Sequence, residues 1–186
     1  MSILKVARMG HPVLRTKAAP VPPGEIKGAR IQRLIDDLFE TMGEYSGIGL
    51  AAPQVHAGVR IFVAGLRASD APPLELSGDA EMPLIAVINP ELSAVGETVD
   101  EGWEGCLSIP DIRGLVPRAK EIKVDAYDRK GRRVQFTARG LPARVIQHET
   151  DHLDGVLFFD RMRSLETLTF MEEYQRYWTK HEDEDE

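Results

Sequence analysis

His148-Glu149-Thr150-Asp151-His152 sets two imidazoles four residues apart with a carboxylate between them. On a helix, at about 100° per residue, the two rings sit about 40° apart and one turn above each other, and Glu149 stands about 60° from His152. Such a pair grips one metal ion while the carboxylate stands next to it. Leu141 and Val145 fall on the same side of the helix, so that face is partly apolar and is expected to point inward. Two histidines do not close a site. Cys106, the single cysteine of the chain, is the softest remaining donor, and thiolate with imidazole suits a first-row divalent metal. Gly102 and Gly105 predict a glycine-rich turn between strands around it, where a merely aliphatic cysteine would be out of place. Three protein ligands leave a fourth position for water, as catalytic rather than structural sites do.

A third segment, Gly47-Ile48-Gly49-Leu50-Ala51-Ala52-Pro53-Gln54, joins them. Its glycines permit close approach of another backbone, and Gln54 presents an amide donor stiffened by Pro53. A tight turn after a helix accounts for the glycines equally well. The Lys and Ser/Thr of a P-loop are missing, which argues against phosphate binding.

The elements that must carry these residues follow from periodicity. Ile31, Leu34, Ile35, Leu38, Phe39 and Met42 form the stripe of an amphipathic helix over 25–44. Short β-rich runs follow at Val59 to Ala64, Leu84 to Ile88 and Leu92 to Val99, with a Pro-containing loop over 66–83. Ile122, Val124 and Ala126, the turn Asp128-Arg129-Lys130-Gly131, then Val134 and Phe136, predict a hairpin. Gly140 before, Pro142 in the first turn and Gly155 after bracket the helix of the histidines. A last helix is expected from Ser164 to Trp178, with Leu165, Leu168, Met171 and Tyr174 on one side. Helix, strands, helix, without a strand–helix repeat, predicts an α+β fold with antiparallel sheets rather than a doubly wound one. One domain over 1–180 is expected, followed by an acidic, disordered tail at 181–186.

Composition narrows the function. With 42% hydrophobic and 28% charged residues the chain can build a core, and no run approaches the roughly 20 apolar residues of a membrane span. The formal charge of -7 argues against a nucleic-acid binder that works by neutralising phosphates. That charge divides unevenly: residues 1–24 carry +4 and the last six carry -5. The basic start lacks the Ser enrichment of a transit peptide and the apolar run of a secretory signal, so no targeting leader is expected. A single cysteine forms no intrachain disulfide, which makes a reducing cytoplasm the simplest location.

Taken together, Gly47 to Gln54, Glu104 to Ser108 and Gln147 to His152 resemble the peptide deformylase family. That family is marked by a Gly-x-Gly-Leu-Ala-Ala-Pro-Gln loop, a Glu-Gly-Cys-Leu-Ser segment and a Gln-His-Glu-x-x-His helix, in this order. The likeness continues through Val87-Ile88-Asn89-Pro90, Ile109-Pro110, Val116-Pro117-Arg118, the hairpin and Asp151 to Gly155, over about residues 3–165. It implies antiparallel sheets around a central metal-binding helix, with N- and C-terminal helices. The implied activity is removal of the formyl group from the N-terminal formylmethionine of nascent peptides. By position the metal ligands would be Cys106, His148 and His152, with Glu149 the general acid/base. Gln54 and the backbone N–H of Leu107 would polarise the formyl oxygen. The implied metal is Fe²⁺, replaceable by Ni²⁺, Co²⁺ or Zn²⁺. Ile48 and Gly49 would pair with the substrate as an added strand. Ile48, Leu141, Val145 and the His148 ring would line the methionine pocket, and Arg113 would hold peptide carbonyls at its mouth. A transient ribosome contact would fall to the basic first 24 residues.

Pro142 and Arg144 depart from the aliphatic or aromatic residues of many members, and Arg144 is expected to pair with Asp151 or to narrow the pocket. Two other readings of the same residues stay open. A His-Glu-x-x-His peptidase needs a further ligand downstream, for which His181 in the acidic tail is a poor candidate. A non-catalytic Cys/His metal protein leaves Glu149 and Gln54 without a role.

Overall fold

A computed structural model describes residues 2–66 and 82–179. In chain order its helices are α1 (Ala29–Glu44), α2 (Leu141–Leu153) and α3 (Met171–Tyr177). Its strands are β1 (Gly49–Ala51), β2 (Ile61–Leu66), β3 (Met82–Ala94), β4 (Val99–Cys106), β5 (Ile109–Ala119), β6 (Glu121–Tyr127), β7 (Arg133–Arg139) and β8 (Thr169–Phe170).

Strand β2 explains the layering. Its residues are apolar without alternation, as a strand buried on both faces requires. Ile61 and Val63 face one core with Ile31, Ile35, Leu38 and Met42 of α1, while Phe62 and Ala64 face another with Ala143, Val145 and Ile146 of α2. The five-stranded sheet, ordered β1-β2-β3-β6-β7 and paired antiparallel, is therefore clasped between α1 and α2. A second sheet, β4-β5-β8, encloses a third core of Leu14, Ile109, Val116, Leu157 and Phe158. The fold is α+β, and the histidine helix lies among antiparallel strands as expected.

The expected hairpin forms, with Ile122, Val124 and Ala126 opposite Ala138, Phe136 and Val134. Asp128 Oδ1 ties its turn by accepting from the N–H groups of Lys130 and Arg132, both at 2.9 Å. Gly140 and Gly155 bracket α2 with φ of 60° and 74°.

Several boundaries differ. The run Leu84 to Ile88 and the first part of the run Leu92 to Val99 are one strand, β3, with a register shift between Ile88 and Glu91, and Val99 already opens β4. Asn89 takes a left-handed φ of 51° there and its amide clips both backbone groups of Val21, at 2.9 and 2.8 Å. A pair that reads as a break is a bulge with its own partner. Gly102 and Gly105 are not in a turn but inside β4, and the turn is Leu107-Ser108. The first helix begins at Ala29, because Pro23–Glu25 closes a separate 3₁₀ turn. The last helix begins at Met171 instead of Ser164. Thr169 and Phe170 pair with Arg113 and Ile112 on the edge of β5, and the Thr167 hydroxyl accepts from Leu115 N–H, so sheet pairing outcompetes helix before that point. Residues 67–81 of the Pro-containing loop and the acidic tail at 181–186 lie outside the described residues.

The basic start is part of the structure. Val6, Ala7, Leu14, Ala18 and Val21 are buried, and the backbone N–H groups of Ala7, Met9 and Ala18 donate to the carbonyls of Gln54, Ser108 and Leu153. It thus laces together the glycine loop, the cysteine turn and the end of the histidine helix. Among the described residues, no helix is long and apolar enough to cross a membrane.

Candidate metal centre

Helix α2 sets His148 and His152 one turn apart, ring centroids 4.9 Å from each other. The end of β4 brings Cys106 up to them, its Sγ 3.2 Å from His152 Nε2. One ligand atom from each of the three lies within 4.8 Å of the others, close enough for a single ion to touch all three. Burial opposes ionisation of the Cys106 thiol, but the charge of His152 and hydrogen bonds from both imidazoles hold its pKa well below the usual thiol value. Soft, deprotonated sulfur beside two imidazoles is a donor set that fits a divalent first-row ion.

The ring of His148 is aimed from behind. Its Nδ1 lies 2.9 Å from Glu104 Oε2, which leaves Nε2 for the cluster. Arg118 grips Glu104 with both prongs of its guanidinium, Nε to Oε1 at 2.9 Å and Nη2 to Oε2 at 3.0 Å, and donates from Nη1 to Asp151 at 2.6 Å. Burial pushes against ionisation of Glu104, yet the hydrogen bonds of His148 and Arg118 hold its pKa at about 2. Asp151 also accepts from Arg161 at 2.7 Å. The motif segments pointed to Glu104 and Arg118, but sequence reasoning assigned neither a role. A carboxylate two residues before a candidate thiolate ligand, and an acid inside the histidine helix, were the available signals that a buried cation must lie nearby.

Glu149 stands beside the cluster, buried, with Oε2 lacking a hydrogen-bond partner. Burial pushes its carboxyl up to about 7, although His148 and His152 pull the other way. A Cβ on Gly49 would collide with the Glu149 carboxylate, so glycine is what lets β1 pass it. That is the close approach which a glycine in a strand signals.

Gln54 sits in the 3₁₀ turn Ala52–Val55. Its Oε1 accepts from Ala51 N–H at 2.8 Å, which points Nε2 toward Ser108 Oγ at 3.2 Å and Cys106 Sγ at 3.5 Å. Leu107 follows Cys106 in the turn, its side chain so near Gly47 that a Cβ there would lie 2.9 Å from it. The glycine loop and the cysteine turn are thus in contact. Ile48, Gly49, Leu141, Val145 and Arg113 line the groove that opens onto His148 and Glu149. The Ile48 carbonyl is taken by Gly65 N–H at 3.0 Å, while β1 is the outermost strand of its sheet and, among the described residues, no strand pairs with its outer side, where Ala51 N–H is held by Gln54. Arg113 lies across Gly105, where a Cβ would collide with its guanidinium.

Arg144 does not pair with Asp151. Seven residues put them about 10 Å apart along the helix, and Asp151 is already held by Arg118 and Arg161. Arg144 turns instead to β4 and β5.

The chain matches the family model for polypeptide deformylase over residues 3–168. It is 46% identical over 180 residues to peptide deformylase 2 of Nostoc sp., covering 96% of this chain and 97% of that one. Its structure is similar to class I type b peptide deformylase from Acinetobacter baumannii with Met-Ala-Ser bound, at a TM-score of 0.78 and 38% identity, over 87% of this chain and 99% of that one. The deformylase from Thermotoga maritima is similar at 0.75 and 36%, over 88% of this chain and 100% of that one.

Proposed function

The chain belongs to the polypeptide deformylase family and is a metal-dependent hydrolase acting on N-formylmethionine peptides, and we propose that Cys106, His148 and His152 are its metal ligands and Glu149 its general acid and base. The observation that carries this reading is the convergence of one thiol and two imidazoles beside a buried carboxylate without a partner. A divalent ion at that point lowers the pKa of water and polarises a carbonyl oxygen.

The chain's own groups do the rest. Glu149 takes the proton of the attacking water and returns it to the departing methionine amine, with formate as the other product. Gln54 Nε2 and the N–H of Leu107 donate to the formyl oxygen as it gains negative charge. The outer side of β1 at Gly49 pairs with the extended peptide, while Ile48, whose carbonyl is already held by Gly65 and so is not offered to the substrate as expected, lines the place of the methionine side chain with Leu141, Val145 and the His148 ring. Arg113, at the mouth, donates to peptide carbonyls. The Acinetobacter relative has Met-Ala-Ser bound, which supports a short peptide as the occupant of this groove.

Formate release from a formyl-Met tripeptide, by protein prepared without oxygen, tests the activity. Hydrolysis within unformylated peptides instead would point to a peptidase. We assign Fe²⁺ as the metal, with Ni²⁺, Co²⁺ or Zn²⁺ able to replace it, and a reducing cytoplasm as the location. Activity of the iron form should then decay in air with peroxide and survive nickel substitution, because a thiolate exposed to oxidant climbs the cysteine oxidation ladder. An air-stable iron form would count against iron.

Gly49→Ala is expected to lower kcat about 10²-fold with metal content unchanged, since a shift of about 1 Å in Glu149 costs that much. Equal turnover by the alanine variant would mean that Glu149 need not stand where it does.

A further inference from the structure

Arg144 joins the helix of the histidines to both strands of the hairpin that carries Cys106. Its Nη1 donates to Glu104 Oε1 at 2.9 Å, to the Val116 carbonyl at 2.8 Å and to the Gly102 carbonyl at 3.3 Å. Its Nη2 donates to the Asp100 carbonyl at 2.9 Å. Asp100, Gly102 and Glu104 belong to β4, Val116 belongs to β5, and Arg144 stands on α2 one turn ahead of His148. The side chain is 12% exposed, so the bonds to Glu104, Val116 and Gly102 are partly shielded from water, while that to Asp100 is exposed.

Other ties cross the same boundary. Gln147 donates to the Ala119 carbonyl at 2.9 Å and accepts from its N–H at 3.1 Å, and Arg118 joins Asp151. Arg144 adds a hold on the β4 backbone itself, two and four residues ahead of Glu104. Room for it comes from Gly102, where a Cβ would lie 2.8 Å from Cζ and Nη2 of the guanidinium. Glycine inside a strand weakens the strand and marks a place where something approaches closely. Here that something is a planar fork whose several N–H groups point in fixed directions and whose charge is permanent.

We propose that Arg144, seated in the gap left by Gly102, is a positioning residue of the metal centre. It holds β4 against α2 so that Cys106 Sγ meets both imidazoles, and it keeps the Glu104 carboxylate aimed at His148 Nδ1. This rests on the reading that Cys106, His148 and His152 are the ligands.

The test is release of nickel from the loaded enzyme into excess chelator, together with the thiolate absorption of the cobalt-loaded form. Outer partners of metal ligands typically change affinity 10–100-fold, so Arg144→Leu should release nickel about that much faster, with a shifted cobalt band. Arg144→Lys keeps the charge but offers donors from one point, and should restore less than half of the loss on a logarithmic scale. Gly102→Ala leaves every polar group in place and should speed release by crowding the guanidinium. In the Arg144→Leu background the same alanine should add nothing, because the group it crowds is gone. Should Arg144→Leu not fold, Gly102→Ala alone carries the test. Wild-type release and an unshifted cobalt band in Arg144→Leu, even with a lower melting temperature, would overturn the proposal and leave Arg144 a packing residue. So would an equal effect of Gly102→Ala with and without Arg144. Cys106→Ser run in parallel separates the two readings: nickel held as in the wild type overturns the ligand set and the clamp with it. Lost nickel there, beside wild-type release from Arg144→Leu, overturns the clamp alone.

Discussion

Glu149→Ala should cut formate release from a formyl-Met tripeptide by about 10²–10⁴-fold while the protein keeps its metal. Glu149 is 4% exposed, and no hydrogen bond ties up its Oε2, so one oxygen is left for a proton in transit. Neither the thiol nor either imidazole bonds to Glu149, so its removal leaves the ligand set intact. Glu149→Gln is the sharper variant. It preserves volume and polarity but cannot accept a proton on the same terms, and should lose nearly as much. Full activity in either variant, measured as formate released per bound metal, would remove Glu149 from the mechanism. If metal were lost along with activity, the carboxylate would be a ligand instead.

Arg118→Leu should destabilise the fold by about 3–5 kcal/mol, because it takes from the buried Glu104 carboxylate its bidentate partner and from Asp151 one of its two. Arg118 is 6% exposed and takes both oxygens of Glu104 and one of Asp151. Arg144 still faces Glu104, and Arg161 still faces Asp151, which favours the lower end of that range. At about 2–4 °C per kcal/mol for a chain of this size, the melting temperature should fall by at least about 6 °C. Arg133→Ala is the control. Its pairing with Asp125 has the same bidentate form, at 2.8 and 2.6 Å, but on the surface, where solvent screens it, so melting should barely move. Equal shifts in the two variants, read by calorimetry, would show that burial is not what makes the Arg118 network matter. Metal content of Arg118→Leu should fall as well, since Glu104 loses the group that holds it against His148.

Much of this was legible in the residues before any fold was known. The His148–His152 spacing needs nothing but a helix to become a paired donor, and Gly140, Pro142 and Gly155 are local signals that a helix is there. Alternation in 122–126 and 134–136 predicted the hairpin for the same reason: side-chain direction in a strand has a period of two. The glycine loop was ambiguous by itself. What makes Gly49 obligatory is the Glu149 carboxylate from another element, 100 residues away in sequence, and no local rule carries that information.

The misread segments share one cause. Gly102 and Gly105 look like turn residues because glycine usually relaxes a backbone, yet here each makes space for an arginine from elsewhere, Arg144 and Arg113. Asn89-Pro90 looks like a break, and becomes a bulge because Val21 supplies partners for the amide. Leu165 and Leu168 fit a helical stripe, but the edge of β5 offers the neighbouring backbone hydrogen bonds that helix would otherwise supply.

By itself, then, the sequence determined which atoms are the candidates for the proposed chemistry: one thiol, two imidazoles one turn apart, a carboxylate beside them and an amide on a stiffened loop. These depend on residue type and short spacing, which local geometry converts directly into position. Only the tertiary structure decided how those atoms are held. The aim of His148, the charge state of Glu104 and the seat of Arg144 arise from groups far apart in the chain that become neighbours when β4 and β5 close on α2. Electrostatics and excluded volume act through space, so their partners are set by the fold.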